Sequence, residues 1–382
     1  MTLRDRLLLK IICTLMLVAM LYPDLNHLGS YTSILSPKSI IIHDNLVLAP
    51  TSGGIAKFDI NNNTFDSINN DDGLELSDIR SIKIDQNNNL IIGSQSPATL
   101  QIYSFSDGLL QFLNDLESEE FYIIEECGGN IFLASFDSDA GFSVYEFRYL
   151  GDSLHYYDIY DSFGKILDID CVGSSLYVLT EASLFATDVN SSYLGQLSSW
   201  ENIFSGNFLG MIFDEEHSFI IDRSNIYQFN DSEVTNYTSI DLDTLVSASI
   251  YNENIYLQDE TRILGFNGKE LNFIDSISVS SKYTGFEIFN NKIYASIENF
   301  GVSITDLDSF SSKIYTPNTF LKNSYNAIDI SADRDLIGIS NDGGFVLTKY
   351  NSLKNFLPTS DPGLPIQKTE TNQFWSKVMT YS

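Results

Sequence analysis

The chain has 382 residues, 43% of them apolar, and carries 26 Phe and 21 Tyr. That is enough aromatic bulk for one large closed domain or roughly two or three smaller ones. Fifty-one acidic residues oppose 21 basic ones, for a net charge of −30. This balance argues against a nucleic-acid binder, which needs a basic footprint to release counterions, and makes anionic lipid an equally poor partner. An acidic surface of this kind is expected to keep the protein soluble and monomeric.

The N-terminus opens with Arg4, Arg6 and Lys10. The apolar run Ile11–Tyr22 follows, and Pro23 and Asp24 break it. A basic start and a short apolar run predict a secretory signal peptide over residues 1–30, in a stretch too short for a confident membrane span. The small residues Gly29 and Ser30 are preceded by His27 and Leu28, an unfavourable cleavage context. An uncleaved membrane anchor is therefore the alternative, and the only expected route to a membrane.

From residue 36 to 359 the chain repeats itself. Short apolar strands recur after small polar turns, led by Leu46, Leu90, Ile131, Leu176, Phe219, Ile255, Ile293 and Leu336. Their spacing runs from 36 to 45 residues, in the range of propeller blades. One strand precedes each leader, as in Ile79–Ile84. A third follows it, as in Gly54–Asp59, Ser183–Asp188 and Gly301–Asp306, and a shorter fourth closes the copy, as in Thr64–Ile68. Asn, Asp and Gly fill the turns, where hairpins need positive φ. A lone four-stranded sheet cannot bury both faces, whereas sheets packed around an axis can. The expected fold is an all-β propeller of four-stranded antiparallel blades. Eight copies predict eight blades, and seven blades with an external hairpin is the alternative. Residues 360–382 read as a C-terminal tail in which Trp375 is a possible anchor.

The second copy, Gly73–Ser94, resembles the repeat of two-component-regulator-type propellers. That repeat begins Gly-Leu, runs through an apolar strand to Asp, turns, and closes on Leu-Trp-Ile-Gly-Thr. The matching residues are Gly73, Leu74, Ile79, Ile82, Asp85, Asn89, Leu90, Ile92 and Gly93, with Ile91 in place of Trp and Ser94 in place of Thr. Gly53–Asp59 and Gly343–Tyr350 resemble the third strand of the same repeat. The resemblance implies a propeller similar to the periplasmic sensors of hybrid histidine kinases, to free exported propellers and to propeller parts of type IX secretion components. With two Trp in the chain, WD, Kelch and quinone-dependent dehydrogenase propellers fit less well.

No catalytic constellation is evident. His155 and His217 are candidate bases, but no nucleophile elbow accompanies them. Asp137 and Asp139, Asp241 and Asp243, and Asp306 and Asp308 share an Asp-x-Asp spacing. The full calcium-loop signature is absent, and Asp is the natural turn residue. Calcium recruitment by these turns is the alternative. Of the three cysteines, Cys13 lies in the apolar run. Cys127 and Cys171 occupy similar places in adjacent copies, where two buried thiols are expected and pairing is the alternative. No catalytic, cofactor or metal residues are assigned. The expected function is an exported binding module taking a protein or glycan at the propeller mouth. The alternative is an exported carbohydrate-active hydrolase or lyase using carboxylates there.

Overall fold

Turn chemistry folds each copy. Between the first two strands of the second copy, Asp85 Oδ1 accepts the amides of Asn87 and Asn89 at 2.9 and 2.7 Å, while Asn88 adopts φ 66°. A short Asx-type turn of this kind returns the chain antiparallel to itself. The computed structural model describes residues 32–317, except 191–192, 214–215, 231–232, 269 and 278–280. It also describes Thr319 and the strand residues between Ala327 and Lys368. The segment expected to direct export, its Gly29/Ser30 context and Trp375 lie outside the described residues. Among the described residues no helix is long and apolar enough to cross a membrane.

The described strands form eight antiparallel sheets. Seven of them close a ring. These blades run from Ile41 to Ile68, Ile79 to Leu113, Glu120 to Phe163, Ile166 to Ser205, Phe208 to Ser239, Ser247 to Ser276 and Tyr283 to Tyr315. Each takes its four strands from one continuous segment, in simple sequence order. The first strands of neighbouring blades adjoin one another all the way round, from blade 1 through blade 7 and back to blade 1. First strands therefore wall a central channel and fourth strands lie at the rim.

The expected eighth blade is not part of this circle. The seam it would need is already filled, because blade 7 packs directly on blade 1. Ile40, Val47 and Phe58 of the first copy form one buried cluster with Tyr294 and Val302 of the seventh. The Phe58 and Tyr315 rings lie 5.2 Å apart. A Cβ at Gly285, on the innermost strand of blade 7, would lie 3.3 Å from Ser39 Cα, so the two backbones approach closely there. The eighth copy instead forms its own five-stranded sheet from Ala327 to Lys368, so the blade number is that of the seven-bladed alternative, with a sheet where a hairpin was expected. Its fifth strand, Gln367–Lys368, falls within the segment expected to be a tail.

Blade 3 has the longest outer strands, Gly141–Leu150 and Ser153–Phe163. Its seam with blade 4 is plugged by Trp200, whose indole Nε1 donates to Leu194 O at 2.8 Å. Tyr160 and Phe163 rest against that ring at 5.6 and 5.1 Å. The same seam carries a Cys127–Cys171 disulfide with the Cα atoms 5.5 Å apart. The expectation of two free thiols is thereby corrected: both cysteines lie at the C-terminal ends of adjacent innermost strands, within bridging distance.

Candidate functional site

The channel wall is built by one recurring position. On each first strand, a residue pairs with the one that follows the apolar leader of the second strand. In blades 1 to 7 that residue is Ile42, Lys83, Glu125, Asp170, Met211, Ser249 and Glu287. Four of the seven are charged, although a closely packed inner strand would ordinarily carry apolar residues. Asp168 lies two residues before Asp170, and hence on the same face of the strand.

Lys83 Nζ donates to Glu125 Oε2 at 2.6 Å across the blade 2–3 seam. Asp170 Oδ2 accepts the backbone amide of Phe213 from blade 5 at 3.0 Å, and its Oδ1 accepts the amide of Cys171 at 2.8 Å. These bonds hold the side chains in place, but one lysine does not balance Glu125, Asp168, Asp170 and Glu287. Burial, helped by Glu125, pushes the Asp170 carboxyl up to about 6 against those two amide bonds. Burial pushes Glu287 up to about 7, with Lys83 opposing. Burial and then the Asp170 charge drive Asp168 well above the carboxylate range. Burial pulls the Lys83 ammonium down, but the charge and hydrogen bond of Glu125 outweigh it and leave it raised. The wall is enclosed by protein yet keeps water contact: the Lys83 side chain is 37% exposed and that of Glu125 15%. The channel gains negative charge as the pH rises through about 6 to 7.

The channel opens into a pocket of ≈ 590 Å³ at the face where first strands turn into second strands. Its walls are the turns of blades 2, 3 and 4, with Lys83, Gln86, Glu125, Glu126, Gly128, Gly129, Cys171 and Gly173 among the lining residues. Glu126 Oε2 accepts the Gln86 amide at 2.9 Å, and burial raises its carboxyl. Gly128 has φ 59°, and a Cβ there would sit 2.7 Å from Val189 Cγ2. The turn therefore needs glycine twice over, for its backbone sign and for the space.

The side chains singled out from sequence lie elsewhere. His155 is exposed on the outermost strand of blade 3. The His217 ring stacks on Phe219, 6.1 Å away. Asp137 Oδ1 accepts the amides of Asp139 and Ala140, and Asp306 Oδ1 those of Asp308 and Ser309. Those carboxylates are spent on closing turns. Among the described residues no group of three or more His, Cys, Asp or Glu is arranged to hold a metal ion. Glu125, Asp170 and Glu287 were not singled out from sequence, although each stands opposite the same repeat position.

No protein-family model and no curated protein matches the chain. Solved structures do. PorZ, an essential bacterial surface component of the type-IX secretion system of Porphyromonas gingivalis, aligns with a TM-score of 0.65 at 16% identity. The alignment covers 86% of this chain and 46% of PorZ. The extracellular domain of a protein assigned as a hybrid two-component system from B. thetaiotaomicron aligns with a TM-score of 0.54 at 12% identity, over 87% of this chain and 46% of that one. Streptogramin B lyase aligns with a TM-score of 0.55 at 10% identity, over 75% of this chain and 96% of the lyase. The chain thus spans about half the length of the first two. At these identities the likeness establishes the β-propeller fold. The neighbours include two of the three kinds of propeller that the resemblance of the second repeat implies.

Proposed function

We propose that this chain is an exported, monomeric β-propeller module that binds a protein or glycan partner at the acidic channel mouth. The observation that carries the proposal is the convergence of Lys83, Glu125, Asp170 and Glu287, from four blades, on one channel layer, of which Lys83 and Glu125 also line a ≈ 590 Å³ pocket. A pocket of that size with a few convergent polar groups is a usual setting for a ligand. Its excess of carboxylates suits a cationic feature such as a lysine, an amino sugar or a chain amine. Export is supported by the Cys127–Cys171 bridge, since disulfides persist mainly in oxidising compartments. It also agrees with the surface and extracellular settings named for two of the structural neighbours.

The test is capture by the mature protein, run against a cell-envelope fraction and a glycan panel beside the variant Asp170→Asn/Glu287→Gln. Capture of a defined partner is expected, with affinity falling at least about tenfold in the variant as the mouth loses charge. Undiminished capture by the variant would place the binding surface elsewhere.

A hydrolase or lyase is the second reading, favoured by a specific observation. Asp170 and Glu287 are raised to about 6 and about 7, so at neutral pH Glu287 keeps a proton it can donate while Asp170 is mostly ionised. Release of a shortened product from the glycan panel, abolished in the same variant, would move the assignment to catalysis.

A further inference from the structure

We propose that the Cys127–Cys171 disulfide is a clamp on the mouth pocket that small thiols can address at Cys171 alone. Cys127 ends the first strand of blade 3, and the Gly128–Gly129 turn follows it at once. Cys171 stands one residue before the end of the first strand of blade 4, ahead of Gly173. Both turns are walls of the pocket, so the bridge ties two walls together at their base.

The two sulfurs are not equivalent. Cys127 is fully buried, at 0% exposure. Cys171 lines the pocket, with its Sγ 3.6 Å from Gly173 O. A thiolate entering the pocket meets Cys171 first, and Cys127, buried in the apolar cluster of the seam, is the leaving group. A bond forms between the incoming sulfur and Cys171 Sγ, the disulfide bond breaks, and Cys127 departs as a thiolate that takes up a proton. A second thiol then attacks the mixed disulfide and frees Cys171. Overall two thiols are oxidised to a disulfide while the bridge is reduced to two cysteines. Glu125 and Glu126 outnumber Lys83 along the path, so the net charge there favours a cationic thiol over an anionic one. The apolar plug around Trp200 keeps the seam packed after the bridge opens, so the walls loosen and the ring stays closed.

The test uses the native, oxidised chain. It is incubated with cysteamine or with glutathione at equal concentration, quenched in acid and mapped by peptide mass. The mixed disulfide is expected on Cys171, forming at least about tenfold faster with cysteamine, and the difference should shrink in high salt. Amide exchange should rise at least about tenfold in residues 128–130 and 172–175 on reduction, with the innermost strands still protected. Cys127→Ala should leave a readily alkylated Cys171, and Cys171→Ala a Cys127 that is silent until unfolding. The proposal is overturned by adduct on Cys127, by reduction that proceeds only at the rate of global unfolding, or by unchanged exchange in the two turns. That a partner occupies the pocket rests on the function proposed above. The reactivity and exchange readouts do not, so either idea can fail alone.

Discussion

Two seams of the ring solve one packing problem in different ways. Between blades 3 and 4 the chain is continuous, yet the seam holds a disulfide, the Trp200 plug and a broad apolar cluster. Between blades 7 and 1 the chain is not continuous, and no strand is exchanged across the join. That seam relies on Phe58, Tyr294, Tyr315 and their neighbours, with Ser36 Oγ donating to Asn299 Oδ1 at 3.1 Å beside them. Covalent reinforcement thus sits beside the mouth pocket, while closure itself is left to side-chain packing. Shape of the pocket and integrity of the circle are separate problems in this molecule.

The sharpest break in the comparison comes from matched truncations. Phe58→Ala and Trp200→Ala should each cost about 3–5 kcal/mol, as buried aromatic deletions do. They should differ in what opens. Native-state hydrogen exchange should show the innermost strands of blades 1 and 7 deprotected by Phe58→Ala. The bridged strands of blades 3 and 4 should stay protected in Trp200→Ala. Equal patterns would mean that the bridge does not distinguish the seams.

Removing the bridge comes next. The cysteines are 44 residues apart, so loop-closure entropy assigns the bridge about 4 kcal/mol. Urea denaturation of Cys127→Ala/Cys171→Ala should show a loss of that order. A loss near zero would make the bridge a local clamp with no effect on global stability.

A smaller effect follows from pH, through one channel carboxyl on blade 4 and one on blade 7. Asp170 and Glu287 are carboxyls whose folded-state values lie above their ordinary 3.8 and 4.5, so the folded chain holds their protons more tightly than the unfolded chain. Their contribution is fully present below the ordinary values. It is lost as pH rises through about 6 for Asp170 and about 7 for Glu287. Denaturation midpoints should therefore fall over that interval. Asp170→Asn should remove the lower part of the fall and Glu287→Gln the upper part. At the other extreme, Lys165 and Glu181 form an exposed pair at 2.8 Å, and Lys165→Ala should change stability by no more than about 1 kcal/mol in the same assay.

How much of this was legible beforehand depended on which distance scale encoded it. The hairpins are local, and Asp85, Asn88 and the Gly turns announced them, so strands such as Gly54–Asp59 and Gly301–Asp306 fall where the repeat grammar put them. Blade number is not local. The copy led by Leu336 reads like the others, and only the packing of Ile40 and Val47 on Tyr294 and Val302 excludes it from the circle. The disulfide was hidden for a similar reason, since pairing depends on two strands from different copies ending side by side. The channel charges were a missed signal. Lys83, Glu125, Asp170 and Glu287 looked like ordinary strand polar residues, until register showed them to be one position seen from four copies. The expected export segment, residues 1–30, lies outside the described residues.

Because every blade is a single unbroken segment, the circle has no privileged starting point. Thr319 Oγ1 donates to Thr32 O at 2.7 Å, so the two ends of the seven-bladed run already touch. A short linker between them, with new termini cut at the Gly206–Asn207 loop, should give a circular permutant with the same ring. Its blade 7–1 join would then be chain-continuous, and the seam without chain continuity would move to blades 4 and 5.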